Sequence, residues 1–426
     1  MINLKKMFSH QFLRGSVVAT LTSLLASVFT YIFSLLVARF FSLYIYGEYY
    51  TAMSYMTILA VPFAAVGFGV VKLLGSFPLV ERSSALSQLA KSFWLKFIHY
   101  SWLLTLLAFF IGWFLLQISG LKIISIIMIL SVTAASFFVT LYTAGMQSQK
   151  LFFAQGVMAA GATLIRVIAL ILVILLSSSL KGIYQSVLFS TVLLVIMYWL
   201  FNRRKIKKQK STFRSNLNLR LFSKTLWLPL ATGLGLSAVL GIDLMMAKHF
   251  FSASQVGLYA GLSLLSKTIF YFVAPIISVS FAFFTGKENL PKRNQFLLIA
   301  VFAILAIGSG ATILYTFFPA LILGILFGGK FIEIVPLMTL AGIYGTLYSI
   351  VTVITQHALS RNHLTSAIPL IMVTIQATGI WLFHDNFTQV MLVNLSTMCL
   401  ILAYYFFYYI FFLKMEASPS QEQKSN

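Results

Sequence analysis

The chain has 426 residues, of which 60% are hydrophobic and 9% charged, with a mean hydropathy of +0.95. Soluble domains carry roughly 25% charged residues, so a conventional water-facing surface is excluded. The formal net charge of +22 therefore does not read as a nucleic-acid footprint, and it fits a membrane chain whose cations collect on one side of the bilayer.

Stretches of about 20 or more apolar residues read as membrane-spanning helices. About twelve are predicted, at 15–41, 48–74, 93–117, 121–145, 151–176, 182–201, 221–248, 254–285, 295–318, 333–359, 364–384 and 388–413. The first is too long for a signal-peptide core and has no clear cleavage site, so it is expected to stay in the mature protein. Alternation places the N-terminus, the loops around Arg82 and Lys91, Lys150, the block 201–224, the loop of Lys287, Lys292 and Arg293, Arg361 and the C-terminal tail on one side. The other side receives only Lys122, Lys181, Lys248 and Lys330. Lys and Arg accumulate in cytoplasmic loops, so both termini are expected in the cytoplasm. Cysteine labelling from outside is expected to reach positions near Lys181 and Lys330 but not Lys207. Labelling of Lys207 from outside overturns this orientation.

The block Phe201–Lys224 is the longest break in the apolar pattern and carries no acid. Like charges at this density stay hydrated and cannot enter lipid. It divides the chain into an N-terminal six-helix bundle (1–201), a basic cytoplasmic linker (202–220), a C-terminal six-helix bundle (221–413) and a disordered cytoplasmic tail (414–426). The linker also suits binding to anionic lipid headgroups.

No sizeable loop carries paired carboxylates, and the chain has only 8 acids. A Gly-rich phosphate loop, a His/Glu metal spacing and a nucleophile motif are all missing. The single Cys399 forms no disulfide within the chain. The glycine pattern of Gly67–Gly75 reads as close helix packing or a bend.

An internal repeat runs through the chain. Ala38-Arg39-Phe40-Phe41-Ser42 followed by Tyr46-Gly47-Glu48-Tyr49 aligns with Ala247-Lys248-His249-Phe250-Phe251-Ser252 followed by Val256-Gly257-Leu258-Tyr259. A weaker match pairs Thr143–Lys150 with Thr355–Asn362. Two halves with an even number of helices share one orientation. They are then related by an axis along the membrane normal. The predicted fold is an all-α polytopic membrane protein, with two parallel-related bundles around a central cavity.

These repeat motifs, with the turn Leu326-Phe327-Gly328-Gly329-Lys330-Phe331, resemble the polysaccharide-exporter branch of the multidrug/oligosaccharidyl-lipid/polysaccharide superfamily. The nearest resemblance is to O-antigen flippases of the Wzx type. The loop after Arg39 reads Ser42-Leu43-Tyr44-Ile45-Tyr46-Gly47, where that family usually has Leu-Gly-Pro before Tyr-Gly. The resemblance implies transport of undecaprenyl-pyrophosphate-linked sugar repeats across the bacterial inner membrane. It also implies membrane lipid, a polysaccharide polymerase and a chain-length regulator as partners.

Charges within the spans bear on mechanism, because an ionisable group near mid-bilayer normally faces a cavity or a partner. Arg166 and Lys267 lie deep in their helices, and a lumen-facing role is expected for both. Arg39 and Lys248 are repeat-matched cations at helix ends, and Lys72 lies near another end. All three have snorkelling to headgroups as an alternative. Together the five cations are the candidate substrate-binding set, because Arg binds a pyrophosphate bidentately and Lys binds it as a point charge. Asp243 is the candidate site for H+ or Na+ coupling, or a counter-ion for Lys267. Glu48 and Glu333 read as ordinary helix-entrance acids. No cofactor and no nucleic-acid partner are expected. Pro62, Pro229, Pro275, Pro336 and Pro369 are expected to bend or break helices and ease alternating access. Three other readings stay open: a cation-coupled small-molecule antiporter on the same fold, a flippase for another anionic lipid, and a membrane-embedded enzyme of polysaccharide synthesis.

Overall fold

The computed structural model describes residues 10–75, 77–78, 81–176, 179–209, 223–285 and 293–417. The elements are α1 (His10–Phe40), α2 (Leu43–Gly75), α3 (Arg82–His99), α4 (Ser101–Ser119), α5 (Ile123–Ser148), α6 (Phe152–Leu176), α7 (Leu180–Gln209), α8 (Ser223–Phe250), α9 (Ala253–Thr285), α10 (Arg293–Phe317), α11 (Pro319–Leu326), α12 (Met338–Ser360), α13 (Ile368–Leu382) and α14 (Phe387–Ala417). Short 3-10 helices cover Gly329–Leu337 and Leu364–Ala367. No strand occurs among the described residues. Among the described residues eleven spans are long and apolar enough to cross a membrane, and the 31-residue α1 supplies a further helix of sufficient length. Only helices satisfy every backbone group within their own segment inside lipid.

The repeat is visible in the packing. In the N-terminal half α1 lies on α6, α2 on α5, and α5 and α6 on α7. In the C-terminal half α8 lies on α13, α9 on α12, and α12 and α13 on α14. The second set is the first with each helix replaced by its repeat mate. The halves meet through α2 against α8 and α9, and through α1 against α9.

We call the end where α1 begins the proximal end, and the opposite one the distal end. Towards the distal end one apolar core joins both halves, holding Tyr46, Tyr50, Val256, Tyr259 and Phe331 together. Towards the proximal end each half has its own cluster, Val70, Leu74 and Leu86 in one and Val273, Ile277 and Phe284 in the other. Among the described residues the halves thus share one apolar core distally and keep separate apolar cores proximally.

Four segments differ from the sequence expectation. The third segment is two helices that break at Tyr100, and α3 starts at Arg82 because its first turns bury Ser83, Ala85, Leu86 and Leu89. The tenth begins with α11 and the 3-10 helix, joined at Gly328, whose φ of 77° favours glycine. The sixth continues past Phe201 to Gln209, so the start of the basic block is helical. Arg and Lys are good helix formers, Arg203 lies 5.2 Å over the Trp199 ring, and Lys205 donates to Gln149 at 2.7 Å. The last helix runs into the expected tail as far as Ala417, and 418–426 lie outside the described residues. Linker residues 210–222 also lie outside them. Pro62, Pro229 and Pro275 sit inside continuous helices, Pro369 lies in the first turn of α13, and Pro336 sits inside the 3-10 stretch before α12.

Candidate functional site

The repeat motifs meet each other at the distal end. Gly47 of α2 and Gly257 of α9 are matched residues, and they touch. A Cβ on Gly257 would stand 2.1 Å from the Leu43 carbonyl oxygen, and one on Gly47 would stand 2.8 Å from the Gly257 nitrogen. Only glycine permits this backbone approach, which lies where an axis relating the halves has to pass. Around the contact each repeat-matched cation reaches the opposite half. Lys248 pairs with Glu48 at 2.7 Å. Arg39 Nη1 donates to the Ile325 carbonyl at 3.0 Å. Lys330 Nζ donates to the carbonyls of Arg39 and Phe41 at 3.1 and 3.2 Å.

Glu48 is 1% exposed. It does not cap its own helix. Its other oxygen accepts the Lys122 N–H at 2.6 Å and the Ser125 hydroxyl at 2.7 Å, so it serves the N-terminus of α5. Removing one partner of a buried pair such as Glu48–Lys248 costs about 3–5 kcal/mol. A cation on helix C-terminal carbonyls, as with Arg39 and Lys330, is worth only about 0.3–1 kcal/mol.

The two deep cations sit on aromatic faces. Lys267, 8% exposed, lies 5.0 Å over the Tyr50 ring across the boundary between the halves. Half-buried Arg166 donates through Nε to Ser190 at 2.8 Å and lies 6.0 Å from the Phe33 ring. Tyr49, beside Tyr50 on α2, is near enough to act electrostatically on Arg166. Neither cation is within ion-pair distance of a carboxylate among the described residues. Beside Lys267 a small apolar groove runs between α1 and α9, lined by Val28, Tyr31, Thr268, Tyr271 and Phe272.

Asp243 lies elsewhere, 1% exposed inside the C-terminal half. Its Oδ1 accepts the Leu244 N–H at 2.7 Å. Its Oδ2 accepts the Tyr259 hydroxyl at 2.8 Å and Asn394 Nδ2 at 3.0 Å. Gln376 Nε2 in turn donates to Asn394 Oδ1 at 2.8 Å and to the Val239 carbonyl at 3.1 Å. Gln376 Oε1 is buried with no partner. A carboxylate buried within a span and held by three donors is suited to taking up and releasing a proton. Asp243 is not within ion-pair distance of Lys267, whose charge reaches it only through space.

The structure therefore sorts the predicted residues into three places. Arg166 and Lys267 sit on α6 and α9 beside the Tyr49–Tyr50 pair. Arg39 and Lys248 hold the distal closure in this conformation. Asp243 anchors a separate buried network. The side chain of Lys72 lies outside the described residues. Sequence reasoning missed Asn394, Gln376 and Tyr259. Asn394 and Gln376 are polar groups in apolar spans, and that signal was available.

Fold comparisons agree with this arrangement. The chain is similar to a multidrug resistance MATE family transporter of the MOP superfamily in an inward-facing conformation, at TM-score 0.62 and 14% identity, covering 95% of this chain and 100% of that one. It is similar to the lipid II flippase MurJ in an inward closed conformation, at TM-score 0.67 and 15% identity, over 92% of this chain and 87% of that one. It is also similar to a MATE family transporter in an outward-facing conformation, at TM-score 0.63 and 14% identity, over 95% and 97%. No curated protein matches the sequence. The family described as polysaccharide biosynthesis protein matches residues 12–285, well over half of the chain. The chain is a multi-pass membrane protein that belongs to this polysaccharide biosynthesis family.

Proposed function

We propose that the protein is a flippase. It moves an undecaprenyl-pyrophosphate-linked oligosaccharide, an O-antigen or similar repeat unit, from the cytoplasmic to the outer face of the bacterial inner membrane. The observation that carries this reading is the pair Arg166 and Lys267, deep in the spans and without a carboxylate partner among the described residues. A pyrophosphate suits such a pair, since Arg offers a planar fork and Lys a point charge. Family membership supports the glycan, and likeness to transporter folds supports alternating access. The separate proximal cores of the two halves support loading from that end, which is the cytoplasmic side on the orientation that the cation distribution implies.

The test is a deletion strain. It is expected to accumulate lipid-linked sugar on the inner leaflet and to lose surface polysaccharide. Normal surface polysaccharide without accumulation overturns the reading. Loss of drug or dye extrusion instead supports the antiporter alternative.

Coupling is assigned to Asp243, with Tyr259, Asn394 and Gln376 completing an H+ or Na+ site. Asp243→Asn keeps the shape of the side chain and removes its charge. Transport by this variant in proteoliposomes is expected to lose its dependence on the ion gradient and to slow by an order of magnitude or more. Unchanged transport with unchanged ion dependence leaves Asp243 a structural residue.

A further inference from the structure

We infer that Arg39, Lys122, Lys248 and Lys330 make up a second anion site at the distal mouth, for a phosphate or diphosphate ester, completed as the two halves part. This inference rests on the flippase reading.

The argument starts from where each cation's partner lies. Lys248 is on α8, and Glu48 is on α2 of the other half. Arg39 belongs to the N-terminal half and its acceptor Ile325 to the C-terminal half. Lys330 belongs to the C-terminal half and its acceptors, Arg39 and Phe41, to the N-terminal half. Parting the halves therefore strips all three cations at once. Glu48 does not follow Lys248, because the Lys122 N–H and the Ser125 hydroxyl tie it to α5. Three cations are left facing one opening, with their closed-state partners withdrawn.

Like charges gathered at one mouth raise the local positive potential and draw anions to it. The other acids near this end do not neutralise these charges. Exposed Glu333, three residues from Lys330, makes no ion pair with it among the described residues. Asp385 is bonded to Gln389. Lys122 adds a fourth cation. Its ammonium lies 4.8 Å over the Tyr44 ring, and that of Lys248 lies 5.9 Å from the same ring. On the flippase reading this is the outer face, where Lys and Arg are normally sparse, so the cluster runs against the usual bias.

Lys330 is aimed rather than loose. Gly328 makes the turn at φ 77°, and Phe331 is fully buried against Gly261 and the Tyr46 ring. The turn singled out in the sequence thus delivers one ammonium to the boundary between the halves. An ester phosphate accepts several charge-assisted hydrogen bonds, whereas the carbonyls now holding Arg39 and Lys330 are neutral. An arriving phosphate competes well for these cations and favours the open mouth.

The test uses the full chain in nanodiscs of phosphatidylcholine, with Cys399→Ser and spin labels at Ser42→Cys and Ser252→Cys, one in each half. Geranyl diphosphate is the probe, and its binding is measured separately by calorimetry. The probe is expected to lengthen the label separation. Lys122→Gln is expected to raise the half-saturating concentration about tenfold or more. The Lys122 ammonium lies over Tyr44 of its own half and makes no ion pair with the other half among the described residues, so this variant tests the anion contact without removing a bond that holds the closure. Lys330→Gln is expected to raise it as well. A separation that does not change while the probe binds, and binds less well in Arg166→Ala, overturns the distal site and leaves the flippase reading standing. A shift that Lys122→Gln and Lys330→Gln both leave unaltered also overturns the site. No binding at all overturns both. Opening in discs containing phosphatidylglycerol without the probe, lost in Lys330→Gln, supports the site with a lipid headgroup as its source.

Discussion

Arg166→Ala is expected to abolish or sharply reduce surface polysaccharide while the protein still inserts at normal levels. Arg166 lies deep in α6, and its single hydrogen bond among the described residues goes to Ser190, leaving most of the guanidinium for a ligand. Hydrogen bonds to charged groups contribute about 1.5–3 kcal/mol each. Losing one weakens binding by roughly one to two orders of magnitude. Arg166→Lys keeps the charge but not the planar fork, so partial rescue is expected. Full activity in Arg166→Lys with loss in Arg166→Gln means that charge alone matters. Normal export by Arg166→Ala, at normal expression, removes Arg166 from the site and leaves the cationic argument resting on Lys267.

Gly257→Ala is the second large effect expected, and it acts on conformation rather than on binding. The new methyl group would stand 2.1 Å from the Leu43 carbonyl oxygen and 2.9 Å from the Leu43 Cα. Both are backbone atoms, so no side chain can turn aside. Overpacking of this kind costs about 1–3 kcal/mol. The whole cost falls on the distally closed state, because the contact is absent once α2 and α9 separate. The ratio of closed to open protein is therefore expected to fall by about 5–150-fold. A cysteine at Tyr46, buried in the closed form, is expected to label faster from the distal side in this background. Gly310→Ala, which meets open space, is the control and is expected to change nothing. Equal labelling rates in the two backgrounds refute the assignment of the glycine contact to the gate.

Much of the architecture was legible in the residues themselves. Lipid forces each apolar segment of sufficient length to satisfy its own backbone, so segment length alone predicts helices. The matched Arg39 and Lys248 motifs pointed to two similarly oriented halves, and the mated helix pairs reproduce that arrangement. Local capping and breaking was less legible. The break at Tyr100 and the 3-10 entry to α12 depend on which residues find partners on other helices.

The site divides in the same way. Sequence alone placed Arg166, Lys267 and Asp243 in the spans, because ionisable groups stand out against an apolar background. It could not pair them. Lys267 was a plausible partner for Asp243, and the fold instead surrounds that carboxylate with Tyr259, Asn394 and the Leu244 N–H. Glu48 read as a cap for its own helix and proved to join α5 to Lys248. Apolar segment length determined that this chain crosses the membrane many times, and the matched Arg39 and Lys248 motifs pointed to two like halves. Only the tertiary structure decided which cations hold the closure and which are left for a ligand. A hydrogen bond or ion pair forms within about 3–4 Å, and residues such as Glu48 and Lys248, 200 positions apart in the chain, are brought within that distance only by helix packing.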